Sequence, residues 1–208
     1  VLTYTSMVLH PPNLPLCVDL DGTLINADLS VESLFGALRK APWIVFLLPF
    51  WLLRGKCFLK EALAGYADID ASVLPYHHGV VSLVQNARSE GRLTVLVTGS
   101  HHKYAERVNA HLGLFDEFMA TTAGCNLTGG TKAGRLRERF GEGGFEYVAN
   151  ARVDLDVWRI SAAAVTVNAP RRIVREVESF GRPHSDFQNS PVSLRAWLKA
   201  IRLHQWTK

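Results

Sequence analysis

Leu16-Cys17-Val18-Asp19-Leu20-Asp21-Gly22-Thr23 reads as a short apolar strand that stops in a tight turn carrying two carboxylates. Glycine at position 22 sits where the backbone must bend sharply. Asp19 and Asp21, one residue apart at a strand exit, can point toward one site. There one can act as a nucleophile while the other exchanges protons, because paired carboxylates push their pKa values apart. Downstream, residues 26–90 carry helical patterns only, among them VESLFGALRK (with Ser30 able to cap it), KCFLKEALAGYAD and VVSLVQNARSE. From Arg92 the chain alternates short apolar strands (93–97, 117–120, 145–149, 163–167) with helices (HKYAERVNAHLG, KAGRLRERF, 171–179). That alternation predicts an α/β fold, a Rossmann-like parallel sheet with helices on both faces. Residues 14–25 and 91–180 form the core in this reading, and 26–90 a helical cap inserted after the first strand. Residues 179–191, polar and bearing Pro and Gly, read as a linker, so that 181–208 is a linker and tail outside the core.

The 208 residues are 48% hydrophobic and 20% charged, enough to bury a sizeable core and too apolar for disorder in the bulk of the chain. The net charge is +4, but residues 171–208 hold eight Lys/Arg against three Asp/Glu, which leaves the rest close to neutral. This is not the uniformly basic surface of a nucleic-acid binder. Cys17, Cys57 and Cys125 share no metal-ligand spacing and read as reduced thiols. The opening VLTYTSMVLHPPNLP lacks the pattern of a secretion signal. The run APWIVFLLPFWLL, residues 41–53, is too short to span a bilayer. Core packing is its first reading and contact with a lipid tail or bilayer interface its second, since Trp43, Trp51, Arg54 and Lys56 suit an interface.

Chemistry in open α/β sheets collects at the carboxyl ends of the strands, and four of those ends carry polar residues. Asp19 and Asp21 follow the first strand, and Thr98 with Gly99, a hydroxyl and a backbone N–H, follows the second. Lys132 comes after Thr128-Gly-Gly-Thr131 and supplies a point charge for phosphate, with Lys103 and Arg135 as rivals. Asn150 and Asp154 follow a later strand, and Asp154, with Asp156 as its rival, can complete an oxygen-rich metal site. The adjacent pairs His77-His78 and His101-His102 do not share a helix face, and no carboxylate is spaced to join them.

CVDLDGTLI resembles the first motif of the haloacid dehalogenase (HAD) superfamily, and Thr98, Lys132 and Asn150…Asp154 fall in the order of the next three. The resemblance covers residues 14 to 180. It implies that Asp19 attacks phosphorus, that Asp21 protonates the leaving group and then activates water, and that Thr98, Gly99 and Lys132 hold the phosphoryl group. It further implies Mg²⁺ bound by Asp19, the Asp21 carbonyl, Asn150 and Asp154. Family members usually carry Gly-Asp where this chain has Ala149-Asn150, which keeps open a second reading as a non-catalytic regulatory domain. PFWLLRGK, FGEGGFEYVANARVDLDVW and the closing LRAWLKAIRLHQWTK are similar to the cytosolic HAD-like domain fused ahead of a UbiA-type prenyltransferase. That likeness implies a place on the cytoplasmic side of a membrane and a small phosphorylated substrate, prenyl-linked or a sugar phosphate, with no nucleic acid. Ser190-Pro191 can start a basic amphipathic helix in the tail, with Leu194, Trp197, Leu198 and Ile201 on one face and Arg195, Lys199 and Arg202 on another.

Overall fold

The computed structural model describes residues 13–188 apart from 123 and 125. Its centre is a six-stranded sheet in the order β3-β2-β1-β4-β5-β6, parallel throughout. The strands are β1 (Leu16–Val18), β2 (Thr94–His101), β3 (Glu117–Thr121), β4 (Glu146–Ala149), β5 (Ala163–Val167) and β6 (His184–Phe187). β1 is central, with Val18 paired to Leu96 of β2 on one side and Val148 of β4 on the other. The strand order reverses between β1 and β4, and their carboxyl ends open the crevice where α/β folds bind ligands.

Period-2 alternation sorts the buried side chains onto two faces. Leu16, Val18, Leu96 and Val148 pack with Val80 and Val84 of α4 (His78–Ser89) and with Ala105 and Val108 of α5 (His102–Leu112). Cys17, Val95, Val97, Tyr147 and Ala149 pack on the other side with Leu136 of α6 (Gly130–Phe140) and Trp158 of α7 (Leu155–Trp158). Ile173 and Val177 of α8 (Arg171–Glu178) close that layer. Gly113, in the left-handed region at φ 62°, ends α5 where the sequence places its stop. A buried ion pair, Arg92 to Glu146 at 2.6 Å, sits at the amino ends of β2 and β4, away from the crevice.

Between β1 and β2 lie α1 (Leu29–Lys40), a 3₁₀ turn at Pro42–Phe46, α2 (Leu48–Leu53), α3 (Lys56–Tyr66) and α4. The first four of these share a small core of their own, Ala37, Ala41, Ile44 and Leu63 with Leu48, Trp51 and Tyr66. Several sequence expectations change here. Asp28 rather than Ser30 caps α1, its Oδ1 accepting from the backbone N–H groups of Ser30 and Val31. α4, read with the cap, buries Val80, Leu83, Val84 and Ala87 against the sheet, because its apolar stripe matches the β1–β2 face. The 41–53 run packs as core on one side only: Ala41 and Ile44 are buried and Leu48 and Trp51 pack against them, while most of its other large apolar side chains are exposed.

Residues 184–187, read as part of a linker, form edge strand β6. A parallel edge strand is held through its backbone and needs no apolar alternation, and Asp186 and His184 add contacts to the Thr166 hydroxyl at 2.6 and 2.9 Å. The basic amphipathic helix read for the tail lies outside the described residues. Among those described, no helix is long and apolar enough to cross a membrane.

Candidate active site

Asp19 leaves β1 with its backbone N–H bonded to the Val148 carbonyl at 2.9 Å, which places its side chain between the ends of β1 and β4. Gly22 follows at φ 73°, and a Cβ there would lie 2.2 Å from Asn150 Nδ2. Glycine is required on both counts, and its absent side chain leaves the space that Asn150 occupies. The walls of the crevice, Asp19, Asp21, Lys60, Gly99, Lys132, Asn150 and Asp154 among them, enclose a cavity of about 520 Å³.

Lys132 is the hub. Its ammonium donates to Asp19 Oδ1 at 2.8 Å, to Asp154 Oδ1 at 3.0 Å and to the Tyr147 hydroxyl at 2.9 Å, while that hydroxyl donates to Asp154 Oδ1 at 2.8 Å. Asp19, Lys132 and Asp154 are all buried. Burial raises Asp19 to about 7 although the Lys132 ammonium pulls the other way. Burial also opposes the charge on Lys132, but the two carboxylates together hold its ammonium above the usual lysine range.

Lys132 reaches the site because it lies on the buried face of α6, one turn from Leu136. Its sequence rivals are engaged elsewhere. Arg135 is exposed and pairs with Glu138, and Lys103 donates to the Ala64 carbonyl at 2.9 Å. Asp156 is likewise exposed and faces Arg159, which leaves Asp154 at the site.

Asp21 is held by a different set of groups. Its Oδ1 accepts the Leu29 backbone N–H at 2.8 Å; its Oδ2 accepts the hydroxyls of Ser100 at 2.7 Å and Thr98 at 3.2 Å. Burial raises its pKa, and these donors pull it back. Thr98 is fully buried, its hydroxyl also accepting the Ser100 N–H at 2.9 Å, so the cavity wall at this strand end is Gly99. An irregularity in the pairing of β2 with β3, between Val97 and His101, sets this stretch apart from the regular ladder.

Two buried oxygens at the site, Asn150 Oδ1 and Asp154 Oδ2, have no hydrogen-bond partner among the described residues. The cavity wall carries four carboxylates, Asp19, Asp21, Asp28 and Asp154, against the ammonium groups of Lys60 and Lys132, which with every carboxylate ionised leaves two negative charges in excess. Unpaired oxygen acceptors in an anionic pocket are the donor set of a hard divalent cation, so the residues fit the magnesium site implied by the sequence.

Residues 16–159 match the haloacid dehalogenase-like hydrolase family. The chain belongs to that family. This HAD-like hydrolase is 36% identical over 199 residues to the uncharacterized protein y4nM of Sinorhizobium fredii (strain NBRC 101917 / NGR234), covering 94% of the chain but 38% of that relative. The chain thus spans well under half the length of the curated relative it matches. Its fold is similar to that of a HAD family hydrolase from Salmonella enterica serovar Typhi (TM-score 0.59, 13% identity, 86% of this chain and 69% of that one). It is also similar to a substrate-bound phosphoserine phosphatase (TM-score 0.58, 15% identity, 93% of this chain and 100% of that one).

The HAD-like hydrolase has site residues that the sequence reading missed. Lys60 of α3 donates to the Gly99 carbonyl at 2.5 Å and to Asn126 Oδ1 at 3.0 Å, which brings a cation from the cap into the cavity wall. Burial lowers its pKa. Tyr147 and Ser100 were also missed: Tyr147 lies inside β4 with no pattern to mark it, and only the place of Ser100 near the end of β2 could have flagged it. His101 does find a carboxylate, since its Nε2 meets Glu61 Oε2 of α3 at 2.8 Å. Its Nδ1 caps α5 by accepting the Lys103 N–H at 3.3 Å, so Nε2 carries the ring proton and donates it. Glu61, His101 and His102 lie close together, but this tautomer makes the Glu61–His101 contact a latch between cap and core.

Proposed function

We propose that the chain is a magnesium-dependent phosphomonoester hydrolase working through an aspartyl phosphate on Asp19. The observation that carries this reading is the buried Asp19–Lys132–Asp154 cluster with two unpaired acceptor oxygens beside it. Asp19 Oδ attacks phosphorus, the bond from phosphorus to the substrate oxygen breaks, and Asp21 gives its proton to the leaving alkoxide. Asp21 then takes a proton from water; the hydroxide attacks the aspartyl phosphate, releasing phosphate and restoring the Asp19 carboxylate. Lys132 and the backbone at Gly99 hold the phosphoryl oxygens, with Thr98 acting behind them on Asp21. Mg²⁺ held by Asp19, Asp21, Asn150 and Asp154 would supply the positive charge that lets a carboxylate approach a phosphate dianion. Asp21, raised by burial, keeps more of the protonated form that an acid needs.

The substrate in this reading is a small phosphorylated molecule, prenyl-linked or a sugar phosphate. The chain would be the part of a UbiA-type prenyltransferase fusion that works on the cytoplasmic side of a membrane. The length of y4nM beyond the matched part supports a HAD-like domain within a longer protein. The second reading, a non-catalytic regulatory domain, draws on Asn150, which brings no charge to the metal site. Hydrolysis of p-nitrophenyl phosphate with and without Mg²⁺, followed by acid quenching to trap protein-bound phosphate, decides between them. Turnover that needs Mg²⁺ and leaves phosphate on Asp19 is expected, whereas no turnover and no magnesium binding by calorimetry would favour the regulatory reading.

A further inference from the structure

We infer that the outer face of the cap docks onto an anionic bilayer surface. Six of the eleven large apolar side chains exposed among the described residues fall within positions 43–53. Leu53 is 85% exposed, Phe46 76%, Phe50 65% and Trp43 53%. They are not left over from a failed core. Ile44, Leu48 and Trp51 already turn inward onto the cap's own cluster, with Trp51 stacked on Tyr66 at 5.9 Å between ring centroids. The 3₁₀ turn and α2 are therefore apolar on two sides, one packed on the cap and the other facing solvent. An exposed apolar surface of this concentration marks an interaction site.

Charge identifies the occupant. From position 33 to position 60 the chain contains no Asp or Glu and five Lys or Arg. Lys60 turns inward to Gly99, whereas Arg39, Lys40, Arg54 and Lys56 are exposed, and none of these four makes a salt bridge among the described residues. An apolar, aromatic crown ringed by exposed cations that make no salt bridge among the described residues is complementary to an anionic interface, where tryptophan, phenylalanine and leucine enter the headgroup boundary and lysine and arginine meet lipid phosphates. A second copy of the chain fits worse, since a two-fold contact through this face would set like charges against each other. The element is too short to span, so the contact is interfacial. The inference rests on exposure and charge and does not depend on the phosphatase reading.

The test is co-sedimentation of the full 208-residue chain with vesicles of phosphatidylcholine alone or mixed equally with phosphatidylglycerol. The variants are Phe46→Ser with Leu53→Ser, Arg54→Gln with Lys56→Gln, and Arg195→Gln with Lys199→Gln and Arg202→Gln in the tail. Circular dichroism of each variant checks the fold. Binding to the mixed vesicles is expected to fall about tenfold for each apolar residue removed and about fivefold for each cap cation removed. The same apolar loss should appear when the tail variant is the starting chain. Binding unchanged in Phe46→Ser/Leu53→Ser, or abolished by the tail changes alone, would overturn the inference. So would a chain that ignores vesicles but dimerises in the ultracentrifuge through this face.

Discussion

Asp19 and Asp21 leave the same strand one residue apart, and the fold treats them in opposite ways. Asp19 is set against a cation: Lys132 lies 2.8 Å away and shares itself with Asp154. Asp21 meets neutral donors only, two hydroxyls from the end of β2 and the backbone N–H that opens α1. Burial raises both carboxylates, but at Asp19 the Lys132 ammonium opposes that push and holds the charged oxygen in place to attack, whereas Asp21, held by neutral donors, can exchange a proton without leaving a charge unpaired. Environment rather than residue type thus separates nucleophile from acid. Asn150 belongs with the Asp19 side, packed against Gly22 and offering an oxygen with no partner.

The largest expected effects break that division outright. Asp19→Asn removes the nucleophile and should lower p-nitrophenyl phosphate hydrolysis by roughly 10⁴-fold or more, with no phosphate trapped on the protein after acid quench. Asp21→Asn should cost about 10² to 10⁴ but still permit trapping with an activated leaving group, since only proton transfer is lost. Equal losses without trapping in either variant would erase the distinction. Lys132→Met strands two buried carboxylates and should destabilise the fold by roughly 3–5 kcal/mol in urea denaturation, with part of the loss recovered by Mg²⁺.

The Asp19 side was largely legible in the sequence because it rests on local chemistry. A strand ending in Asp-Leu-Asp-Gly-Thr fixes two carboxylates by chain geometry alone, and Lys132 shares a helical face with Leu136 that its rival Arg135 does not. The groups around Asp21 were less legible. Ser100 is a small hydroxyl in a strand, which has no pattern to mark it, and Lys60 arrives only because the cap folds back onto β2. The 41–53 run was only half legible for a related reason: an apolar run specifies burial in something, and the sequence does not say which side chains turn to the cap's core and which stay exposed. Edge strand β6 hid behind polar residues because its pairing is made by backbone groups.

Two intermediate effects sharpen the comparison. Lys60→Met removes a cation from the cap side of the cavity and should raise KM about tenfold for a dianionic substrate with a smaller change in kcat, a split that steady-state kinetics reads directly. Magnesium binding should report on Asp19. Its pKa in the folded chain is raised from 3.8 to about 7, so below that pH the folded protein holds a proton that the metal must displace. Calorimetry should therefore show affinity weakening by up to about tenfold per pH unit below 7, with proton release, and a plateau above it. A pH-independent affinity would place the metal away from Asp19.

The smallest effect tests the Asp21 side alone. Ser100→Ala deletes the shorter of the two hydroxyl contacts to Asp21 Oδ2 and leaves Thr98 at 3.2 Å as the remaining one. The Ser100 hydroxyl favours the charged carboxylate, so its loss adds to the upward push of burial and raises Asp21 further. A lost hydrogen bond of this kind is worth about 1 kcal/mol, which corresponds to somewhat under one pH unit. The basic limb of the hydrolysis profile, where Asp21 loses the proton it must donate, should move upward by that amount. Because Ser100 donates to the Asp21 carboxylate rather than to its backbone carbonyl, and makes no hydrogen bond to Asp19, Lys132 or Asp154 among the described residues, magnesium affinity should stay as it was. A shift in metal affinity with a fixed pH limb would mean that the two carboxylates titrate as one unit, and that the division between them is a feature of the resting geometry rather than of the chemistry.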